Sequence, residues 1–373
     1  MKIIFRVDDV LPSLLNVSSV VSNRPVMEIL DCVLFELHND VLKMSASDND
    51  TLVSQLVQVS VSDARADFSF CLNAKDLTKV LSSLVGYEIE LTIEETCVVG
   101  KYTNGTFTLP IKRAADFPIL FTSGGETLQS VDLPIALLTD GLNFTRDATG
   151  DDSLRPILSG VCIDFSNQAV SFYGTDAQKL SKYDTHVDSN IEGKIVLPKK
   201  PSTILSKSLS SKEGSIKVGF DEKKARFTAD GFVLTTKLIE GKYPNVSSII
   251  PQSAGNVLTI EKNTILKALK RILPLGSISE LVVLDVSLGN LAINSENIEF
   301  STKATETIDC DYSGAPMKIG FKGTNLTQTI SNIPSQEIKI ALYEPSRAAV
   351  FTPKSVATGV NMLALLMPMM INS

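Results

Sequence analysis

The sequence predicts an α+β protein of three similar domains, with antiparallel sheets on one side and six amphipathic helices on the other. Three observations carry this. A helix followed by alternating strands recurs three times at a spacing of about 125 residues, too long for a solenoid repeat and right for a repeated domain. The strand segments alternate apolar and polar residues, as half-buried antiparallel strands do. The length of 373 residues accommodates two or three domains at roughly 100–200 residues each.

Each unit opens with a short strand and an amphipathic helix. These segments are "IIFRVDDVLPSLLNVSSVV", "QSVDLPIALLTDGLNF" and "NVLTIEKNTILKALKRIL". Strand segments follow: "ILDCVLFELHNDVLKMSA", "ILSGVCIDFSNQAVSFYG" and "LVVLDVSLGNLAINS". A second helix then begins at Asn73, Pro198 and Lys322. Leu77, Val80, Leu81 and Leu84 share one face of the first, with Asn73 as its N-cap. Ile204, Leu205 and Leu209 do the same in the second, and Leu326, Ile330 and Ile333 in the third. Three strands close each unit, and the Asn104-Gly105 step predicts a hairpin in the first. Gly124-Gly125 and the "PQSAGN" stretch from Pro251 divide the chain into domains 1–126, 127–254 and 255–373.

Composition narrows the function. Hydrophobic residues are 43% and charged residues 21%, a globular balance. No apolar run approaches the roughly 20 residues of a bilayer span. Asp8 and Asp9 stand where a signal peptide keeps its apolar stretch, which predicts a cytoplasmic protein. The five cysteines form no C-x-x-C pair and read as reduced thiols, most of them buried. His38 and His186 are the only histidines, without cysteine or histidine neighbours at ligand spacing, so no metal site is expected. There is no Walker A loop, no G-x-G-x-x-G and no cofactor box. Asp8-Asp9 and Asp151-Asp152 read as helix caps and solvated loops. No enzymatic chemistry and no cofactor are expected.

The net charge of −7 argues against nucleic-acid binding unless the charges are segregated. Basic residues do gather on or beside particular helices: Arg24, Lys75, Lys79, Arg146, Lys199, Lys200, Lys207, Lys267, Lys270 and Arg271. Acidic residues crowd strands and loops, as in Glu88, Glu90, Glu94, Glu95, Asp221, Glu222, Glu296 and Glu299. An ordinary solvated helix face is one reading. A cationic helix layer facing phosphates, without sequence readout, is the other.

Several stretches, in order along the whole chain, resemble the bacterial DNA polymerase III beta subunit, the beta sliding clamp. They are "NRPVMEIL" from Asn23, "AADFPIL" from Ala114, "RPILSGVCIDF" from Arg155, "KLIEGKYPNVSSIIP" from Lys237, "YSGAPMKIGF" from Tyr312 and "LLMPMM" from Leu365. The resemblance implies three clamp domains per chain, helices lining a ring, and a head-to-tail homodimer around duplex DNA. It implies a dimer interface including Phe107 and Leu109 on one side and Ile272 and Leu273 on the other. It also implies a groove for short linear peptides of the clamp loader, the replicative polymerase and repair proteins. The matching groove positions are Leu158, Thr175, Ala177, Lys179, Leu180, Pro244, Ile249, Leu365, Leu366, Met367, Pro368 and Met369. Cytoplasmic, nucleoid-associated placement follows, with no membrane partner.

The chain departs from the family at this groove. Ala177 stands where a glycine is usual, Lys179 and Ser248 where arginines are common, and the tail runs on through Met370-Ile371-Asn372-Ser373. A less cationic groove that favours apolar anchors is expected.

Overall fold

The computed structural model describes residues 2–62, 68–118, 128–166, 168–188, 191–251, 255–276, 280–297 and 300–371. Gly124-Gly125 and Glu299 lie outside the described residues. Within them all six expected helices form: α1 (Val7–Ser18), α2 (Ala74–Ser82), α3 (Ile135–Arg146), α4 (Lys199–Leu209), α5 (Lys262–Ile272) and α6 (Gly323–Asn332). Every strand pairing is antiparallel.

The chain packs into two compact units, Met1–Thr139 with Lys200–Leu238, and Asp140–Lys199 with Ile239–Ser373. The division runs through the middle repeat. The reason is backbone hydrogen bonding, because strands of the middle repeat join the sheets of both neighbours.

The first unit holds a five-stranded and an eight-stranded sheet. The smaller runs Ser60–Ser62, Lys2–Arg6, Glu88–Ile93, Cys97–Tyr102, Gly105–Pro110. The larger runs Gln129–Pro134, Ser215–Phe220, Lys224–Ala229, Phe232–Lys237, Thr51–Gln58, Val41–Ser47, Cys32–His38, Phe68–Asn73. The join between repeats is the pair Thr51–Gln58 with Phe232–Lys237. In the second unit the four-stranded sheet runs Thr302–Asp309, Asn290–Asn297, Leu281–Ser287, Met317–Lys322. Its eight-stranded sheet runs Gly193–Pro198, Gly160–Ser166, Ala169–Thr175, Lys179–His186, Val360–Leu366, Ala349–Pro353, Glu337–Leu342, Asn256–Glu261. There the join is Lys179–His186 with Val360–Leu366.

Local chemistry explains the helix starts. Asn73 caps α2: its side-chain oxygen accepts from the Lys75 and Asp76 N–H groups at 3.0 and 3.1 Å. Removing such a cap costs about 1 kcal/mol. Behind it Ala74, Leu77 and Leu81 are buried, and burying each leucine stabilises the fold by about 1.5–3 kcal/mol. In α5 the buried stripe is Ile265, Ala268, Leu269 and Ile272. α1 packs on α2 and on the strands Val41–Ser47 and Thr51–Gln58, and α5 packs on α6.

The Asn104-Gly105 hairpin forms with its centre moved by one residue. Tyr102 pairs with Gly105, so Thr103-Asn104 makes the turn and neither has a left-handed φ. The shift places Gly100 opposite Phe107. A Cβ at Gly100 would lie 2.1 Å from the Phe107 ring, so glycine is what lets that ring lie against its own sheet. Cys32, Cys71 and Cys162 are buried, and all five thiols are free. Burial is the main cause that pushes the Cys71 and Cys162 thiols up to about 12.

Candidate functional site

The basic residues divide into exposed cations and cations held by the chain itself. On α2, Lys75 and Lys79 are exposed above the buried leucines. Lys207 of α4 and Lys267 and Lys270 of α5 are likewise exposed opposite buried faces. Arg24 is exposed beyond α1. None of these makes an ion pair among the described residues.

The others are engaged within the chain. Lys200 donates to the Val20 carbonyl at 2.6 Å and pairs with Asp48. Lys199 pairs with Asp151 at 3.0 Å. Arg146 is half-buried, 3.4 Å from Asp147 and donating to Asn143 at 3.3 Å. Arg271 makes a two-point contact with Glu306, whose carboxyl is held below its usual range by that guanidinium. Sequence reading missed these partners because Val20, Asp48 and Glu306 approach only through the sheets. Among the described residues no three His, Cys, Asp or Glu side chains converge to hold a metal. No described helix is long and apolar enough to cross a membrane.

The expected interface residues separate in the same way. Phe107 and Leu109 alternate along Gly105–Pro110, the edge of the five-stranded sheet, and are half-buried. Leu273 is half-buried in the turn after α5. Ile272 is 3% exposed and serves the core of its own unit. The apolar side chain exposed in that turn is Leu275, which the sequence reading did not select. Thr302–Asp309 is the edge of the four-stranded sheet, its residues alternately half-buried and exposed.

The expected groove residues gather in the second unit, but many are floor and not wall. Leu158, Leu180, Leu365 and Leu366 are 6%, 1%, 2% and 1% exposed. Leu180 and Leu365 pack with Cys162, Tyr173, Val196, Tyr243, Val246 and Ala348. Ala177, Pro244, Ile249 and Met367 are exposed, and Pro368 and Met369 half-buried. The tail is fixed by backbone bonds: the Met367 N–H donates to Gln178 and the Met369 N–H to Gly320, both at 2.8 Å.

The turn before Lys179 is set by its side chains. The Asp176 carboxylate accepts from the Gln178 and Lys179 N–H groups at 2.8 Å. The buried Thr175 hydroxyl donates to the Lys179 carbonyl at 2.7 Å and accepts from the Ala177 N–H. This geometry puts Ala177 at φ 75°, a left-handed conformation that glycine adopts freely and alanine does not. Lys179 is turned inward, donating to Gln328 at 2.6 Å, and burial lowers its pKa. The cavity beside Leu158, Ala177 and Lys179 is also lined by Asp147, Asp151, Asp152, Asp176, Arg155 and Lys199, so carboxylates outnumber cations there, while Ile249 and Met367 are exposed apolar side chains.

Comparison with known proteins places these features in a family. Residues 1–121 match the N-terminal domain of the DNA polymerase III beta subunit. Residues 132–245 match its central domain and 247–370 its C-terminal domain. Similar curated proteins are named beta sliding clamps. That of Synechocystis sp. is 27% identical, over 99% of both chains. That of Pseudomonas aeruginosa is 23% identical over 90% of this chain and 91% of its own. Solved sliding clamps share the fold. The Pseudomonas aeruginosa clamp bound to griselimycin has a TM-score of 0.90, 21% identity and full coverage of both chains. The Bartonella birtlesii clamp bound to griselimycin gives 0.90 and 24%, also with full coverage of both. With matched domains accounting for nearly all of its length, the chain belongs to the DNA polymerase III beta-subunit family of sliding clamps.

Proposed function

We propose that the chain is a non-catalytic processivity clamp that encircles duplex DNA as a head-to-tail homodimer and tethers partners through the groove near Met367. The observation that carries this reading is the set of exposed lysines Lys75, Lys79, Lys207, Lys267 and Lys270, without ion pairs among the described residues and each on a helix whose opposite face is buried. Such cations interact with phosphates without reading bases. Weak contacts suffice if closure holds the DNA. The domains in this reading are 1–126, 127–254 and 255–373. The partners are duplex DNA, a clamp loader, the replicative polymerase and repair proteins. The working place is the cytoplasm, on the nucleoid.

Closure would join two sheet edges, Gly105–Pro110 of one protomer to Thr302–Asp309 of the other, by strand addition. Phe107, Leu109, Leu273 and Leu275 supply apolar contact, in a heterologous join repeated twice.

Clamp-loader-assisted assembly on nicked circular DNA tests encirclement. Linearising the circle should release the protein, and retention on the linear product would refute the topology. Replacing Lys75, Lys79, Lys207 and Lys267 with glutamate should lower loading and leave sedimentation as a dimer unchanged. Lys200→Glu should matter less to loading, since its charge is already neutralised by Asp48. For the groove, the exposed Ile249 and Met367 support apolar anchors. Undiminished preference for acidic, glutamine-led peptides over apolar ones would contradict that.

A further inference from the structure

The internal repeat places a second copy of the groove's framework in the first unit. In the second unit Leu180 is opposite Leu365, and the Met367 N–H donates to the Gln178 carbonyl at 2.8 Å. In the first, Leu52 is opposite Thr235, and the Lys237 N–H donates to the Asp50 carbonyl at 2.9 Å. The preceding turns match as well. Asp48 accepts from the Asp50 and Thr51 N–H groups, as Asp176 does from Gln178 and Lys179. Asn49 has φ 82° where Ala177 has 75°. Phe117-Pro118 takes the place of Tyr243-Pro244. Phe117 packs with Cys71, Ile29, Leu34 and Leu52, the counterparts of Val196, Ile157, Cys162 and Leu180 around Tyr243.

The copies differ in how they are filled. Where Leu365 seals the second unit, the first has Thr235, and Leu52 stays half-buried. A cavity of about 510 Å³ opens there, lined by Leu34, Leu52, Phe117, Pro118, Val233 and Arg226, among others. That volume lies in the range of ligand sites. The charges in its lining are unequal. Lys43 and Glu36 pair at 2.7 Å and neutralise each other. Arg226, in register with Thr235, is exposed and makes no ion pair among the described residues. The cavity thus offers Leu34, Leu52, Phe117 and Val233 beside the hydroxyls of Ser45, Ser54, Ser69 and Thr235, and one guanidinium without an ion pair among the described residues, which favours a carboxylate beside an apolar side chain.

We propose that this cavity is a second peptide site, for a short extended segment with an aliphatic or aromatic residue next to an acidic one. The peptide class rests on the groove reading above; the cavity and its cation stand without it.

The test uses the full-length protein with 13C-labelled leucine, valine and methionine methyls. The added peptide is acetyl-Gly-Asp-Leu-Phe-Gly-amide, alongside its counterpart with asparagine for aspartate. Shifts at Leu34, Leu52 and Val233 are expected. Binding there should weaken about fivefold with the asparagine peptide or in Arg226→Ala, the scale of an exposed ion pair. Thr235→Leu, which copies the sealed unit, should abolish those shifts while leaving the Leu365 and Met367 responses intact. Shifts confined to Leu365 and Met367 would overturn this site and leave the groove reading standing. Shifts confined to Leu34, Leu52 and Val233 would uphold this site and count against the groove. Binding here that ignores the aspartate would overturn the peptide proposal in favour of a neutral apolar ligand, and no shift at either place would overturn both.

Discussion

The two eight-stranded sheets share a plan and differ at the strand pair that joins their repeats. In the second unit the end of the join nearest Met367 is apolar. Leu180, Leu365 and Leu366 are almost completely buried, and Ala349 pairs with Leu366 across the next strand. In the first unit the matching end, near Lys237, is polar. The Thr51 and Thr236 hydroxyls bond at 2.9 Å, Lys237 pairs with Asp50 at 2.8 Å and Lys200 with Asp48. One join is closed by leucines; the other leaves a cavity beside Thr235. The lesson is that both joins use the same antiparallel backbone pairing with different side chains at one end. Side chains at the join are then free to set whether the surface is sealed or open.

Truncating the apolar join should have the largest effect. Leu365→Ala is expected to cost about 2–5 kcal/mol in urea denaturation, since it leaves a cavity in a packed cluster. Its counterpart Thr235→Ala should cost no more than about 1.5 kcal/mol. Equal costs would mean that the two joins are energetically alike after all.

Alkaline pH should strain both sheets in parallel. The Cys71 and Cys162 thiols rise from 9.0 to about 12 on burial, so the folded chain keeps protons that the unfolded chain releases. Their stabilisation is complete below pH 9 and falls as pH rises toward 12, by at most about 1.4 kcal/mol per unit for each thiol. Cys71→Ala and Cys162→Ala should each flatten the slope of stability against pH between 9 and 12. A slope unchanged in both variants would assign it elsewhere.

The turns before the joins make a third contrast. Ala177→Gly should stabilise the second unit by about 1 kcal/mol by relieving its left-handed alanine. Asn49→Gly should change little, because asparagine tolerates that conformation. Thermal denaturation of the two variants decides it. Lys237→Ala should also have a small effect, because its pair with Asp50 is more than half exposed on both sides. A loss below about 1 kcal/mol, shrinking further in salt, is expected.

Much of this was legible in the sequence, for reasons that can be named. Helices α1–α6 were readable because apolar spacing at 3.6 residues reports a buried stripe, as at Leu77 and Leu81. The cap at Asn73 was readable because it bonds only to its immediate neighbours. The hairpin at Asn104 was readable in kind, but its centre was set by the register that seats Phe107 over Gly100. Which cations stay free was not readable, since Lys200 meets Asp48 across 152 residues. Ile272 and Leu275 exchanged roles because helical phase at a C-terminus is settled by packing. The two compact units were not readable either, because the repeat marks homology while the sheets mark hydrogen bonding.

The shared sheets set a timetable for folding during synthesis. Three strands of the first sheet, Gln129–Pro134, Ser215–Phe220 and Lys224–Ala229, cannot join the other four until Phe232–Lys237 has left the ribosome, and the second sheet waits for Val360–Leu366. Gly160–Ser166, Ala169–Thr175 and Lys179–His186 emerge long before that partner and leave an open strand edge in the meantime. A nascent chain stalled between residues 190 and 360 should be the most vulnerable to chaperone capture and aggregation, because Lys179–His186 then lacks its partner strand.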